Sequence, residues 1–142
     1  MLVQVIYTSC VAEELDDAAL AQILDVSVRN NSRLGITGLL VFAAGTFMQV
    51  LEGEDAQIDG LLARIHTDPR HRGVDVLVRN QIKEREFSQW HMGFRRPGTA
   101  DAEALPQYAA FFDDGFDAGK IGAQPGMGLE ILRALAGSVQ PR

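Results

Sequence analysis

Phe47-Met48-Gln49-Val50-Leu51-Glu52-Gly53 sets the architecture of the chain. It is rich in β-forming residues and ends at a glycine, so it is expected to be a strand. Period-2 alternation puts Phe47, Gln49 and Leu51 on one face and Met48 and Val50 on the other. Gln49 therefore shares a face with two large apolar side chains. A buried amide without partners costs about 1–3 kcal/mol, so Gln49 requires specific ones.

Upstream, Ile36–Ala43 is apolar on both faces, and Ala44-Gly45-Thr46 turns it back into the Gln49 strand as a hairpin. Leu2–Thr8 alternates Val3, Val5 and Tyr7 against Leu2, Gln4, Ile6 and Thr8, which makes a first strand. Between these strands, Glu13–Asp17 supplies acidic and capping residues for a helix start. Leu20, Ile23, Leu24, Ser27 and Asn31 follow at helical spacing, so the apolar stripe runs into two small polar residues. Downstream, Glu54–Thr67 carries Ile58, Leu61, Leu62 and Ile65 at the same spacing, and Asp68-Pro69 stops it. Arg70–Gly73 is expected as a polar loop and Val74–Val78 as a strand running on irregularly toward Lys83. Lys83–Phe87 is a charged connection, and Trp90–Phe94 a last short strand with Trp90, Met92 and Phe94 on one face.

The order β-α-β-β-α-β-β is that of an α+β, ferredoxin-like split βαβ with one extra strand, a mixed sheet with both helices on one face. The two-sided apolarity of Ile36–Ala43 demands cover on the other face as well. Leu105–Phe112 and Leu129–Leu135 are expected as short amphipathic helices that supply this cover or form a subunit contact, joined by the Gly-rich Gly115–Gly128. The domain organisation is thus a globular unit over residues 1–97 with a helical extension over 98–142.

The 142 residues suffice for one core, and 46% hydrophobic with 23% charged residues is ordinary for a soluble domain. Residues 1–97 carry 10 basic and 13 acidic side chains and residues 98–142 carry 3 and 6, a net of −3 in each part. The absence of a basic arm weighs against nucleic acid or an anionic membrane as partner. Cys10, the single cysteine, cannot form an internal disulfide, which fits a reducing, cytoplasmic compartment. The N-terminus shows no signal-peptide pattern, and no apolar run approaches the roughly 20 residues of a membrane helix. His66, His71 and His91 have no metal-binding spacing, with His66 expected at the surface, and no Ser-His-Asp arrangement or phosphate loop is found.

Strands 1 and 3 are expected to be neighbours, so Tyr7 and Gln49 can face each other beneath the two helices. Asn31 ends helix 1, Arg64 lies on helix 2, and Arg70 and His71 follow it. A slot floored by Tyr and Gln suits a flat heterocycle with edge donors and acceptors. Asn31 can meet a carbonyl and an imide N–H at once, and the arginines can hold phosphates or carbonyls. Oxidised flavin has that set of groups, and a purine nucleotide would satisfy much of it.

Five segments together, IYTS, SVRNNSRLGITGLLVF, FMQVLEG, RIHTDPRHRGV and FSQWHMGF, resemble the BLUF family of flavin-binding blue-light sensors from about Leu2 to about Phe94. The resemblance implies a photoreceptor for blue light that binds oxidised FAD and is not an enzyme. It makes Tyr7 the electron and proton donor to the photoexcited flavin and places Gln49 between that tyrosine and flavin N5 and O4. It puts Asn31 on the C4 carbonyl and N3, Arg64 at the cofactor phosphates, and Arg70 and His71 near the C2 carbonyl. Ser27, Asn30 and Asp68 complete the expected cofactor contacts. Asn30 stands where some members have His, a departure expected to alter flavin packing and recovery more than the photochemistry. Trp90 and Met92 match the pair that exchanges contacts with the glutamine on illumination. The tail resembles that of short BLUF proteins, so output is expected to pass to a separate protein, with a homodimer or larger homo-oligomer as the assembly. A flavin-free ferredoxin-like regulatory or interaction domain is the alternative on the residues alone, and a small hydrolase or flavin enzyme a third.

Overall fold

The computed structural model describes residues 1–11, 15–122, 124 and 126–136. One sheet has the strand order β4-β1-β3-β2-β5. Its strands are β1 (Leu2–Val11), β2 (Thr37–Ala43), β3 (Thr46–Glu54), β4 (His71–Gln81) and β5 (Gly93–Arg95). β1 pairs antiparallel with β3 and β4, β2 antiparallel with β3, and β5 runs parallel to β2. This is the expected mixed ferredoxin-like sheet with a fifth strand.

Local chemistry fixes the ends of the elements. The first helix, α1 (Asp17–Leu34), is capped by Asp16, whose side chain accepts from the Ala19 N–H at 2.7 Å. Glu13 and Glu14, also expected at this start, lie outside the described residues. β2 and β3 are joined by Ala44 and Gly45, both at positive φ (49° and 74°), which is what a two-residue hairpin turn requires. Thr46, expected in the turn, already belongs to β3. The second helix, α2 (Asp55–Thr67), ends at Asp68, which is extended as a residue before proline should be.

Three expectations are overturned. β4 begins at His71, so His71–Gly73 is strand and not loop. The reason is that β1 runs on to Val11 and offers pairing partners there, with Val11 opposite His71 and Cys10 opposite Arg72, and an irregularity between Thr8 and Cys10 absorbs the extra residues. The last strand starts at Gly93, so Trp90–Met92 is not part of it, and Trp90 and Met92 do not share a face. Among its described residues the tail forms four short helices, α3 (Thr99–Ala104), α4 (Ala109–Asp114), α5 (Ala118–Gly122) and α6 (Met127–Ala136), with a 3-10 turn over Pro106–Tyr108. Pro106 is tolerated at the start of the 3-10 turn, and the expected helix over Leu105–Phe112 is broken at Tyr108, whose backbone (φ −113°, ψ 1°) is not helical.

The sheet separates two cores. Val3, Val5, Tyr7, Leu40, Phe47 and Leu51 pack with Leu20 and Leu24 of α1 and with Ile58 and Leu62 of α2. On the opposite face, Ile6, Leu39, Val41, Met48 and Val50 pack with Tyr108, Phe112, Ile131, Leu132 and Leu135 of the tail. The tail therefore covers the second face of the sheet.

Candidate functional site

The antiparallel register of β1 and β3 sets Tyr7 directly opposite Gln49. The Tyr7 hydroxyl donates to Gln49 Oε1, and Gln49 Nε2 donates to Met92 Sδ at 3.0 Å. All three side chains are buried. This orientation of the carboxamide is the one in which both neighbours are bonded, because the thioether can accept and cannot donate. Sulfur is a weak acceptor, so the donor end of Gln49 is its loosely held end. Burial pushes the Tyr7 phenol far above its ordinary range, and the negative charge of Asp68 adds to that shift. Tyr7 is thus neutral and holds its proton on the bond to Gln49.

Above this pair, α1 and α2 leave a slot of about 230 Å³. Tyr7, Ser27, Asn30, Asn31, Gln49, Arg64, Asp68, Arg70 and His71 all line it. Its walls are apolar: Ile23, Val26, Leu40, Phe47, Leu61 and Ile65. Of the residues expected at the site, only Trp90 and Met92 do not line it. Met92 reaches the slot through Gln49, whereas Trp90 lies in the tail-side core, its Nε1 buried and without a protein partner among the described residues.

The polar rim is held by contacts within the protein. Asn31, at the last turn of α1, donates from Nδ2 to the His91 carbonyl at 2.7 Å and leaves its carboxamide oxygen for the slot. His91 is fixed in turn by its Nδ1 against the Ile36 carbonyl at 3.1 Å. Arg70 forms a two-pronged bond with Asp68, Nε to Oδ1 at 3.0 Å and Nη2 to Oδ2 at 2.6 Å. That pair holds the Asp68 carboxyl below the usual carboxylate range and keeps Arg70 above its ordinary value. His71 meets Ser9 Oγ through Nδ1 at 2.9 Å and lies against the Phe47 ring at 5.5 Å between centroids. Burial pushes His71 down from its ordinary value, against the opposing pull of Asp68. Asn30 accepts from Arg33 at 3.2 Å. Ser9 was not singled out from the sequence, although its parity with Tyr7 on β1 is a signal that could have found it.

An oxidised flavin ring fits these residues. The apolar walls can enclose its faces, the carboxamides of Asn31 and Gln49 can meet its polar edge, and the Arg64 guanidinium at the slot can take a phosphate.

Residues 2–93 match the model of the family described as BLUF, sensors of blue-light using FAD. The beta subunit of photoactivated adenylate cyclase from Euglena longa is 36% identical over 80 residues, which is 56% of this chain and 9% of that protein. The chain therefore spans a small part of the length of that relative. Among solved structures, BlrB, a BLUF protein in its dark state, has a TM-score of 0.78 at 30% identity, with 96% of each chain covered. BlsA in its ground state has a TM-score of 0.80 at 27% identity, covering 100% of this chain and 92% of that one.

Proposed function

This chain belongs to the BLUF family of blue-light sensors, and we propose that it holds oxidised FAD between α1 and α2 and converts light absorption into a rearrangement of Tyr7, Gln49 and Met92 that a separate protein reads. The observation that carries this reading is the buried hydrogen-bonded row Tyr7–Gln49–Met92 on the floor of the slot. When bound, oxidised flavin supplies absorption of blue light and an excited-state acceptor for one electron and one proton.

The chain's own residues do the rest. Tyr7 is neutral, buried and bonded to Gln49, and so is placed to give up an electron and a proton together. A half-turn of the Gln49 carboxamide, or its tautomerisation, exchanges the donor and acceptor that its surroundings meet. Rotation also withdraws the N–H from Met92, because an oxygen then faces a sulfur that has nothing to donate. Met92 immediately precedes β5, which pairs with Leu39–Val41 of β2 and is tied to α3 by the ion pair of Arg95 with Asp101. Loss of the Gln49–Met92 bond is thus felt first at β5 and then in the tail. Asn31 and Arg64 orient the ligand, the Asp68–Arg70 pair and His71 close the rim, and the apolar walls exclude water.

FAD rather than FMN is supported by the family's description, while Arg64 at the slot suits the phosphate of either. The cyclase activity belongs to the relatives that carry it, and this reading contains no turnover of a substrate. A single cysteine and a net charge of −6 support a cytoplasmic setting without direct nucleic-acid binding. Among the described residues no helix is long and apolar enough to cross a membrane. Self-assembly as a homodimer or larger ring is carried over from the resemblance to short BLUF proteins, because the apolar side chains of the tail are spent on the sheet of their own chain.

A light-minus-dark absorption spectrum of the purified protein tests the reading. The protein is expected to be yellow and to show a reversible red shift under blue light. Tyr7→Phe and Gln49→Leu are expected to keep bound flavin and lose the red-shifted state. A normal photocycle in either variant overturns the assignment, and a colourless protein favours the flavin-free alternative.

A further inference from the structure

Glu52 stands on β3 three residues after Gln49, facing the tail, and is fully buried. Its carboxylate accepts from Gln4 Nε2 at 2.8 Å and from the backbone N–H groups of Glu86 at 3.0 Å and Phe87 at 2.6 Å. Gln4 and Thr37 flank Glu52 on the two neighbouring strands, so three adjacent strands present one buried polar row. Arg85 completes the closure over this row, donating to Thr37 Oγ1 at 2.9 Å and to the backbone carbonyls of Glu52 at 2.9 Å and Gly35 at 2.6 Å. Residues 85–87 are therefore stapled across the sheet. A carboxylate with this burial is tolerable only because those donors surround it.

The same segment leads to the switch. Three residues beyond Phe87, Trp90 enters the tail-side core and its carbonyl accepts from the Gly38 N–H at 3.0 Å. A side chain at position 38 would collide with the Val50 carbonyl, its Cβ only 2.0 Å away, so β2 lies as close here as glycine permits. The chain then crosses the sheet edge at His91 and delivers Met92 to the helix-side core. Trp90 is two residues from Met92, so the exchange of these two side chains at Gln49 that the family resemblance implies needs this segment to advance by two residues along β2. Such a slide must break the bonds of Glu52 to Glu86 and Phe87.

We propose that Glu52 is a positioning residue whose buried carboxylate locks residues 85–90 in register, so that Met92 and not Trp90 meets Gln49. The proposal rests on the light-sensor reading, in which the partner of Gln49 sets the state of the switch. Gln49 supplies the moving amide, and Glu52 fixes which side chain that amide moves against.

Trp90 is the only tryptophan, and a flavin quenches tryptophan emission at close range. The test is the Trp90 fluorescence lifetime in the dark, on full-length flavin-bound wild type and Glu52→Gln. The amide substitution turns one acceptor oxygen into a donor, which must then face either the Phe87 N–H or the Glu86 N–H together with Gln4 Nε2. The wild type is expected to show one long lifetime. Glu52→Gln is expected to gain a short component that disappears when the flavin is removed. A Glu52→Gln protein with the wild-type lifetime and an unchanged dark-recovery rate overturns the proposal. Amide hydrogen exchange on the unmodified chain provides the second measurement if the variant does not fold. The amides of Glu86 and Phe87 are expected to be as protected as those of β3, and exchange at exposed-loop rates overturns the proposal. A wild type that binds flavin without a red shift sinks the sensor reading and leaves both measurements of the anchor standing. One that binds no flavin sinks that reading too, and the exchange measurement still decides the anchor.

Discussion

Gln49 and Glu52 are two buried polar side chains on one strand, and they face opposite sides of the sheet under opposite restraint. Gln49 has two partners, and one is a thioether, the weakest acceptor available. Glu52 has three donors, two of them backbone amides that cannot rotate away. The surroundings follow the same division. The helix side contains a slot with a polar floor, whereas the tail side, beyond the bonded row of Gln4, Glu52 and Thr37, is an apolar core built from Ile6, Val41, Val50, Phe112, Ile131 and Leu132. One face is built to rearrange and the other to stay, and a single strand carries both because successive side chains alternate.

The largest expected effect comes from breaking the fixed face. Leu132 is fully buried in the tail-side core, so Leu132→Ala should cost about 2–5 kcal/mol of stability, read as a lowered urea midpoint. The light-minus-dark spectrum of whatever remains folded should be that of the wild type. A variant with normal stability and an altered spectrum would erase the distinction between the faces. Leu132→Ala is thus the converse of Gln49→Leu, which should spare the fold and abolish the response.

The rim of the slot offers a smaller effect with a sign. Burial lowers the pKa of His71 in the folded protein below its value in the unfolded chain. The unfolded chain therefore takes up the proton more readily, and stability falls as the pH drops below about 6.5, the ordinary histidine value, toward the folded pKa. Above that window the contribution is constant. Urea midpoints between pH 7.5 and 5.5 should decline more steeply in the wild type than in His71→Gln, and parallel curves would show that the rim does not exclude the charged imidazole.

The smallest expected effect belongs to the exposed pair of Arg133 on α6 with Glu86, joined at 2.8 and 2.7 Å. Both side chains are more than a third exposed, so Arg133→Ala should lower stability by less than about 1 kcal/mol in a urea titration. A loss comparable to that of Leu132→Ala would mean that the tail is held by charge and not by its core.

The sequence conveyed the strands and long helices well, because alternation and helical spacing report which side of an element is buried. The pairing of Tyr7 with Gln49 followed from connection rules alone, and all nine residues expected around the cofactor line one slot. The expectation that Trp90 and Met92 share a strand face fails for a physical reason. Alternation has meaning only inside a strand, and here the chain crosses the sheet edge before β5 begins. Arg70-His71-Arg72 looks solvated in sequence, yet the end of β1, paired with β3 on one edge, offers its other edge and draws His71 into the sheet. Glu52 gave little warning. A carboxylate beside a glycine at a strand end resembles a solvent edge, and only its parity with Met48 and Val50 marked it as buried.

Asn31 lines the slot and also bonds the carbonyl of His91, the residue at which the chain crosses from the tail side to the helix side. The cavity and the crossing are therefore thermodynamically linked. Any ligand that engages Asn31 stabilises the folded chain by an amount set by its concentration relative to its dissociation constant, and part of that stabilisation falls on the backbone between Trp90 and Met92. Loading the protein and setting its switch are, on this geometry, coupled equilibria that share one carboxamide.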